Sequence, residues 1–178
     1  MNQSSLDSLD HLIRAATRDL FAAYGVPLTD NGIGASFSGE VYAATIGFTH
    51  TAFRGALIIT LCRDLVVKSL PSQISSPAPG HELTGDWAGE LSNQLLGRIK
   101  KKLIAYGVGI SLSTPVVFRG TGLCNFPQPA VVSRSHCFSS AAGPLEVVFQ
   151  ARADAGFELV ETGDPDAGGP AEGEVSLF

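Results

Sequence analysis

A two-layer α+β fold, with two long helices side by side on one face of a largely antiparallel six-stranded sheet, is what this sequence predicts. Three observations carry that expectation. Two long stretches repeat apolar residues at three- and four-residue spacing and keep a polar back, so each buries one face only. The remaining apolar segments are short and turn-separated, as in antiparallel sheets covered on one side. The two long stretches also end alike, in Ala23-Tyr24-Gly25-Val26 and Ala105-Tyr106-Gly107-Val108, at an offset of 82 residues. Carried back along the chain, that offset pairs Leu9 with Leu91, Ile13 with Leu95 and Phe21 with Leu103. The chain therefore reads as two degenerate halves, each a helix followed by strands.

The elements follow in order. Leu6, Leu9, Ile13, Ala16 and Leu20 place a helix over residues 5–24, capped by Ser4 or Ser5 and stopped by Gly25 and Pro27. Extended segments are expected at 33–38, 41–49 and 56–62; the last, GALIITLC with its leading glycine, is a continuous apolar run suited to a buried strand. A short helix over 63–70 starts at Asp64 and ends at Pro71, and residues 71–80 form a Pro/Ser-rich loop. The second long helix covers 84–107. Strands are expected at 109–118, 130–138 and 145–152. A domain of residues 1–160 is followed by a Gly/Pro/acid-rich tail, 161–178, with the composition of a disordered segment.

Composition narrows the function classes. The 178 residues are 44% apolar and 16% charged, enough for one sizeable core. No apolar run reaches the ~18 to 20 residues that span a bilayer, and the N-terminal stretch lacks the pattern of a secretory signal. The net charge of −5 disfavours a nucleic-acid surface. Cys62, Cys124 and Cys137 show no CxxC spacing and read as reduced thiols of a cytoplasmic protein. The four histidines are scattered, with no ligand spacing for a metal, and GxSxG, Walker A and HExxH motifs are absent.

The second long helix is the most informative segment. At about 100° per residue, Trp87, Ala88, Leu91, Leu95, Ile99, Leu103 and Tyr106 share one arc. Asp86, Glu90, Asn93, Gly97 and Lys100 lie opposite. Glu90 and Asn93, three residues apart, put a carboxylate and a carboxamide side by side. Gly97, one turn beyond Asn93, sits in a helix interior where glycine costs about 1 kcal/mol relative to alanine. A bare patch beside a Glu/Asn pair suits close approach by another molecule; a plainly solvated face is the other reading. Through the offset of 82, Ser8 and His11 stand where Glu90 and Asn93 stand, so only the second half carries the pair.

These residues resemble the CheX branch of the CheC/CheX/FliY chemotaxis phosphatases. That family carries a helical pattern close to E-L-x-N-x-x-x-G-x-x-K, matched here from Glu90 through Asn93 and Gly97 to Lys100. A Thr-Pro strand ending in glycine follows, similar to Thr114-Pro115 through Gly120, and a glycine-led apolar strand precedes, similar to Gly55 through Leu61. CheC-like members carry the pair on both helices and CheX-like members once, so Ser8 and His11 place this chain with the latter. The resemblance implies hydrolysis of the aspartyl phosphate of a CheY-type response regulator. Asn93 would orient the water and Glu90 would dock on the regulator's active-site lysine, while Asp86, Gly97 and Lys100 would touch the partner. No cofactor of its own is implied; Mg²⁺ belongs to the partner regulator. A homodimer is expected, with residues 130–138 as an edge that another chain could cover, or one that Arg134 and His136 could protect. The rival readings are a receiver-binding adaptor of the same fold without hydrolysis, and a structural dimer. An intact Glu/Asn pair favours hydrolysis, since a pure binder has no use for the carboxamide.

Overall fold

The computed structural model describes residues 1–32, 34–74, 78–123 and 131–161. Helix α1 (Gln3–Ala23) is followed by strands β1 (Thr29–Asn31), β2 (Val41–His50) and β3 (Phe53–Cys62). The short α2 (Arg63–Lys68) leads to the long α3 (His81–Ile104) and then to β4 (Ser111–Leu112), β5 (Val116–Gly120), β6 (Val132–Ser140) and β7 (Gly143–Ala153). The sheet runs β1-β6-β7-β3-β2, with β4 and β5 both on the far side of β2, and every pairing is antiparallel.

Strand periodicity decides which face is covered. Tyr42, Ala44, Ile46 and Phe48 of β2, Leu57, Ile59 and Leu61 of β3, and Leu145, Val147 and Phe149 of β7 alternate along their strands, and all are buried. Against them lie Leu9, Ile13, Ala16 and Leu20 of α1 and Leu91, Leu95, Ile99 and Leu103 of α3. Both long helices thus cover one face of the sheet, as their amphipathic patterns require. They run antiparallel: Asp19 meets Lys102 at 3.5 Å, while Tyr24, further along α1, meets Gln94, further back on α3.

The repeat read from the sequence is visible in the topology. A rotation that exchanges the halves carries α1 onto α3, β1 onto the β4/β5 edge, and the β2–β3 hairpin onto the β6–β7 hairpin, with the β3–β7 pair at the centre. The helix ends match bond for bond. Val26 N–H donates to Phe21 O and Val108 N–H to Leu103 O, and Gly25 and Gly107 adopt φ of 71° and 67°. That left-handed backbone is what glycine permits after a helix C-terminus.

Several expectations need correction. The N-cap of α1 is Asn2, whose side chain accepts from Ser5 N at 2.9 Å; Ser5 is buried, and its hydroxyl accepts from Leu159 N instead. Of the strand expected at 33–38, Ile33 lies outside the described residues and 34–38 are not strand. The edge strand is β1, three exposed residues selected by ladder pairing and by Arg14 and Arg18, which both contact Asp30. The single strand expected at 109–118 is two, which makes seven strands among the described residues rather than six. Ser113 inserts between them, its N–H donating to Gly47 O and its hydroxyl accepting from Gly47 N, and Pro115 has no N–H for the ladder. Strand β6 is an edge over only part of its length, since β1 covers Cys137 to Ser139. His136 and Arg134 turn toward α1 rather than guarding an edge; both reach Asp10, at 3.3 and 3.6 Å. The Gly/Pro/acid-rich tail lies outside the described residues from 162 onward.

Candidate functional site

Helix α3 is held from both sides. Trp87 donates through Nε1 to Ser69 Oγ at 3.1 Å, and Thr84 donates to the Tyr42 hydroxyl at 2.6 Å, pinning the first half of the helix to α2 and β2. Gly89 lets β5 approach: a Cβ there would meet Val117 Cγ2 at 3.2 Å and Pro115 Cγ at 3.8 Å. The Thr-Pro strand is therefore the wall beside the helix. With the apolar arc inside, Asp86, Glu90, Asn93 and Lys100 are exposed along one stripe, and a Cβ on Gly97 would meet nothing within 4 Å. All five residues singled out from the sequence lie on this stripe.

Glu90 and Asn93 differ in how they are held. Glu90 Oε1 accepts from Gln94 Nε2 at 2.8 Å, and Gln94 Oε1 accepts from the Tyr24 hydroxyl at 2.7 Å. Among the described residues nothing hydrogen-bonds the Asn93 carboxamide. The site thus offers a tethered carboxylate beside a free donor–acceptor group. A cleft of about 580 Å³ opens next to Glu90, lined in part by Gly85, Asp86, Pro115 and Arg119. Two of its lining residues, His81 and Arg119, meet the Glu40 carboxylate at 3.5 and 3.6 Å, and Arg63 approaches the same carboxylate at 3.9 Å. Among the described residues no three His, Cys, Asp or Glu side chains are placed to hold a metal ion.

Sequence reasoning missed Tyr24, Gln94, Glu40, Arg119 and Ile104. Ile104 is 52% exposed and continues the stripe one turn past Lys100. Gln94 carried a usable signal, its i,i+4 spacing from Glu90; Tyr24 had only its place in the repeat. Across the repeat, Ser8 is half-buried and His11 exposed on α1, so the matching positions carry neither a carboxylate nor a carboxamide.

The model of a protein family described as chemotaxis phosphatase CheX matches residues 42–134, just over half of the chain. The chain belongs to the chemotaxis phosphatase CheX family. As a member it is a phosphatase of chemotaxis signalling, and the matched segment contains the whole of α3 with Glu90 and Asn93. The fold agrees. A chemotaxis protein CheX from Vibrio vulnificus is similar at TM-score 0.71 and 21% identity, over 81% of this chain and 96% of that one. A CheC-like protein from Shewanella sp. PV-4 is similar at TM-score 0.70 and 18% identity, over 86% and 100% of the two chains. A CheX–CheY–BeF₃–Mg²⁺ complex from Borrelia burgdorferi contains a chain similar at TM-score 0.59 and 16% identity, over 83% and 97%. Among curated proteins, none matches closely enough to count as a relative.

Proposed function

We propose that this chain hydrolyses the aspartyl phosphate of a CheY-type response regulator, with Glu90 and Asn93 as the residues that carry the reaction. The observation that supports this most is the pairing of a tethered Glu90 with an unpartnered Asn93 on the exposed stripe of α3, in a member of a phosphatase family. In the reaction a water oxygen bonds to phosphorus, the bond from phosphorus to the aspartyl oxygen breaks, and its electron pair stays on the regulator's carboxylate. Such transfer depends on position and electrostatics rather than on a covalent helper. Asn93 accepts from the water through its carbonyl and donates through its NH₂, which holds the nucleophile in line. Glu90, as a fixed negative charge, docks on the regulator's active-site lysine. Mg²⁺ belongs to the regulator, in keeping with the Borrelia complex, in which CheX and CheY are joined with BeF₃ and Mg²⁺. Asp86, Gly97 and Lys100 contact the partner along the same stripe, and a receiver-domain substrate places the work in the cytoplasm.

A homodimer joined through sheet strands completes the proposal. The β5 edge exposes Val116 and Phe118, each 55% accessible, and β1 leaves Val132 to His136 of β6 uncovered among the described residues. Light scattering at tens of micromolar checks this, and a monomer mass would count against it. The function itself is tested by following phosphate loss from a panel of phosphorylated CheY-type receivers. At least one should decay faster with the chain present; binding without acceleration would instead indicate an adaptor.

A further inference from the structure

The bonds that reach Glu90 start on the other long helix, and this points to a function for the pseudo-repeat. We infer that Tyr24 and Gln94 are positioning residues for Glu90: a two-bond relay from the end of α1 fixes the carboxylate that docks on the phosphorylated receiver. The inference rests on the reading of Glu90 given above. Chemistry sets the direction of the relay. A carboxylate only accepts, so Gln94 must turn its NH₂ to Glu90 Oε1 (2.8 Å), which leaves its carbonyl for the Tyr24 hydroxyl (2.7 Å) to donate to. Tyr24 is itself immobilised. It stands at the C-cap of α1, and its ring meets Trp87 edge-on at 5.1 Å and 89°. Trp87 is tied in turn to Ser69, and Ser69 to Val66 O of α2. An exposed glutamate ordinarily samples many rotamers and loses that freedom on docking. Here the freedom is removed beforehand at one oxygen, and the second oxygen stays available to a partner.

The repeat supplies an internal comparison. The same offset of 82 that pairs Tyr24 with Tyr106 pairs Gln94 with Leu12 and Glu90 with Ser8. Leu12 is buried and has no group to bond a tyrosine hydroxyl or a neighbour on its helix. The helix end is built twice in the same geometry, but a polar residue at the middle position occurs only in the half that carries Glu90. A relay needed merely to join α1 to α3 would have no reason to follow the Glu/Asn pair.

The test measures binding of a CheY-type receiver loaded with beryllofluoride and Mg²⁺, taking the receiver dephosphorylated fastest in the panel, together with KM and kcat on its phosphorylated form. Tyr24→Phe, which keeps the ring on Trp87, should weaken binding and raise KM about fivefold at unchanged kcat, the factor of roughly one net hydrogen bond. Gln94→Leu, which copies position 12, should do the same. In a Glu90→Ala background neither change should have any further effect, and Tyr106→Phe should leave binding at the parent value. The relay is overturned if Tyr24→Phe and Gln94→Leu leave binding unchanged while Glu90→Ala weakens it, or if they weaken it equally with and without Glu90. Parent-like binding and turnover by Glu90→Ala would overturn the site reading itself, and the relay with it.

Discussion

At the scale of single residues, the proposed role of the stripe on α3 can be tested apart from stability, because its side chains face away from the core. Asn93→Ala should shift stability by no more than about 0.5 kcal/mol, the ordinary range for surface changes. It should nonetheless slow phospho-receiver decay by on the order of 10², since among the described residues no other donor–acceptor side chain beside it is left unbonded to hold the water. A folded Asn93→Ala chain as fast as the parent would remove that residue from the mechanism. His11→Ala, at the matching place on α1, should change neither quantity. Gly97 makes the opposite trade. Its Cβ position is open space in a helix interior, so Gly97→Ala should raise stability by about 0.5 to 1 kcal/mol in denaturant titrations. Gly97→Leu should also fold, yet weaken receiver binding if a partner backbone lies against the bare patch. Tight binding by Gly97→Leu would mean that the glycine is not there for close approach.

At the scale of elements, the central strands and the seat of α1 set the vulnerable points. A Cβ on Gly55 would lie 1.9 Å from Gln150 O and 2.9 Å from Ala151 Cα, both backbone atoms of the adjoining β7. Neither strand can move without opening the sheet, so Gly55→Ala should cost about 2 to 3 kcal/mol or prevent folding, as read from melting curves. The glycine that leads the apolar run, a landmark of the family resemblance, lies inside β3 and thus has a steric reason. Beneath α1, His136 is 2% exposed and faces Asp10, Arg14, Arg134 and Asp30. Burial holds its imidazole below the ordinary 6.5, outweighing the Asp10 carboxylate, which acts the other way. The unfolded chain therefore takes up the proton first as pH falls. Stability from this group is full above about pH 6.5 and declines below it, until the folded imidazole also titrates. Melting temperatures from pH 7.5 to 5 should show that decline, and His136→Gln should flatten it. An unchanged slope in the variant would assign the effect to other groups.

At the scale of the whole molecule, one structural plan is used twice and equipped once. Both halves contribute a capped helix and a hairpin to a common sheet, but Glu90, Asn93 and the Gln94 that bonds Glu90 stand on α3 alone. Tyr24 is the first half's contribution to the hydrogen bonds that reach Glu90, which makes the halves unequal partners rather than two copies. Deleting residues 163–178 should leave the melting temperature and the rate of phospho-receiver decay unchanged, because the core formed among the described residues and the α3 stripe both precede them. Loss of either property on deletion would give the tail a function that its composition does not suggest.

Local pattern alone determined the amphipathic arcs of both helices, the buried strands and the stripe from Asp86 to Lys100, because burial repeats with the period of the element. It also exposed the repeat, since Tyr-Gly after a helix marks the same left-handed cap twice. The three-residue edge strand at Thr29 was illegible, for its residues are all exposed and hydrophobic alternation has nothing to report there. The break at Ser113 and the inward turn of Arg134 and His136 were likewise hidden, because each depends on which strand or helix lies opposite. The sequence by itself therefore determined which residues face solvent together on α3. Only the tertiary structure decided that Tyr24, 70 positions from Gln94, completes the hold on Glu90, because packing two helices antiparallel brings together groups that no period along the chain relates.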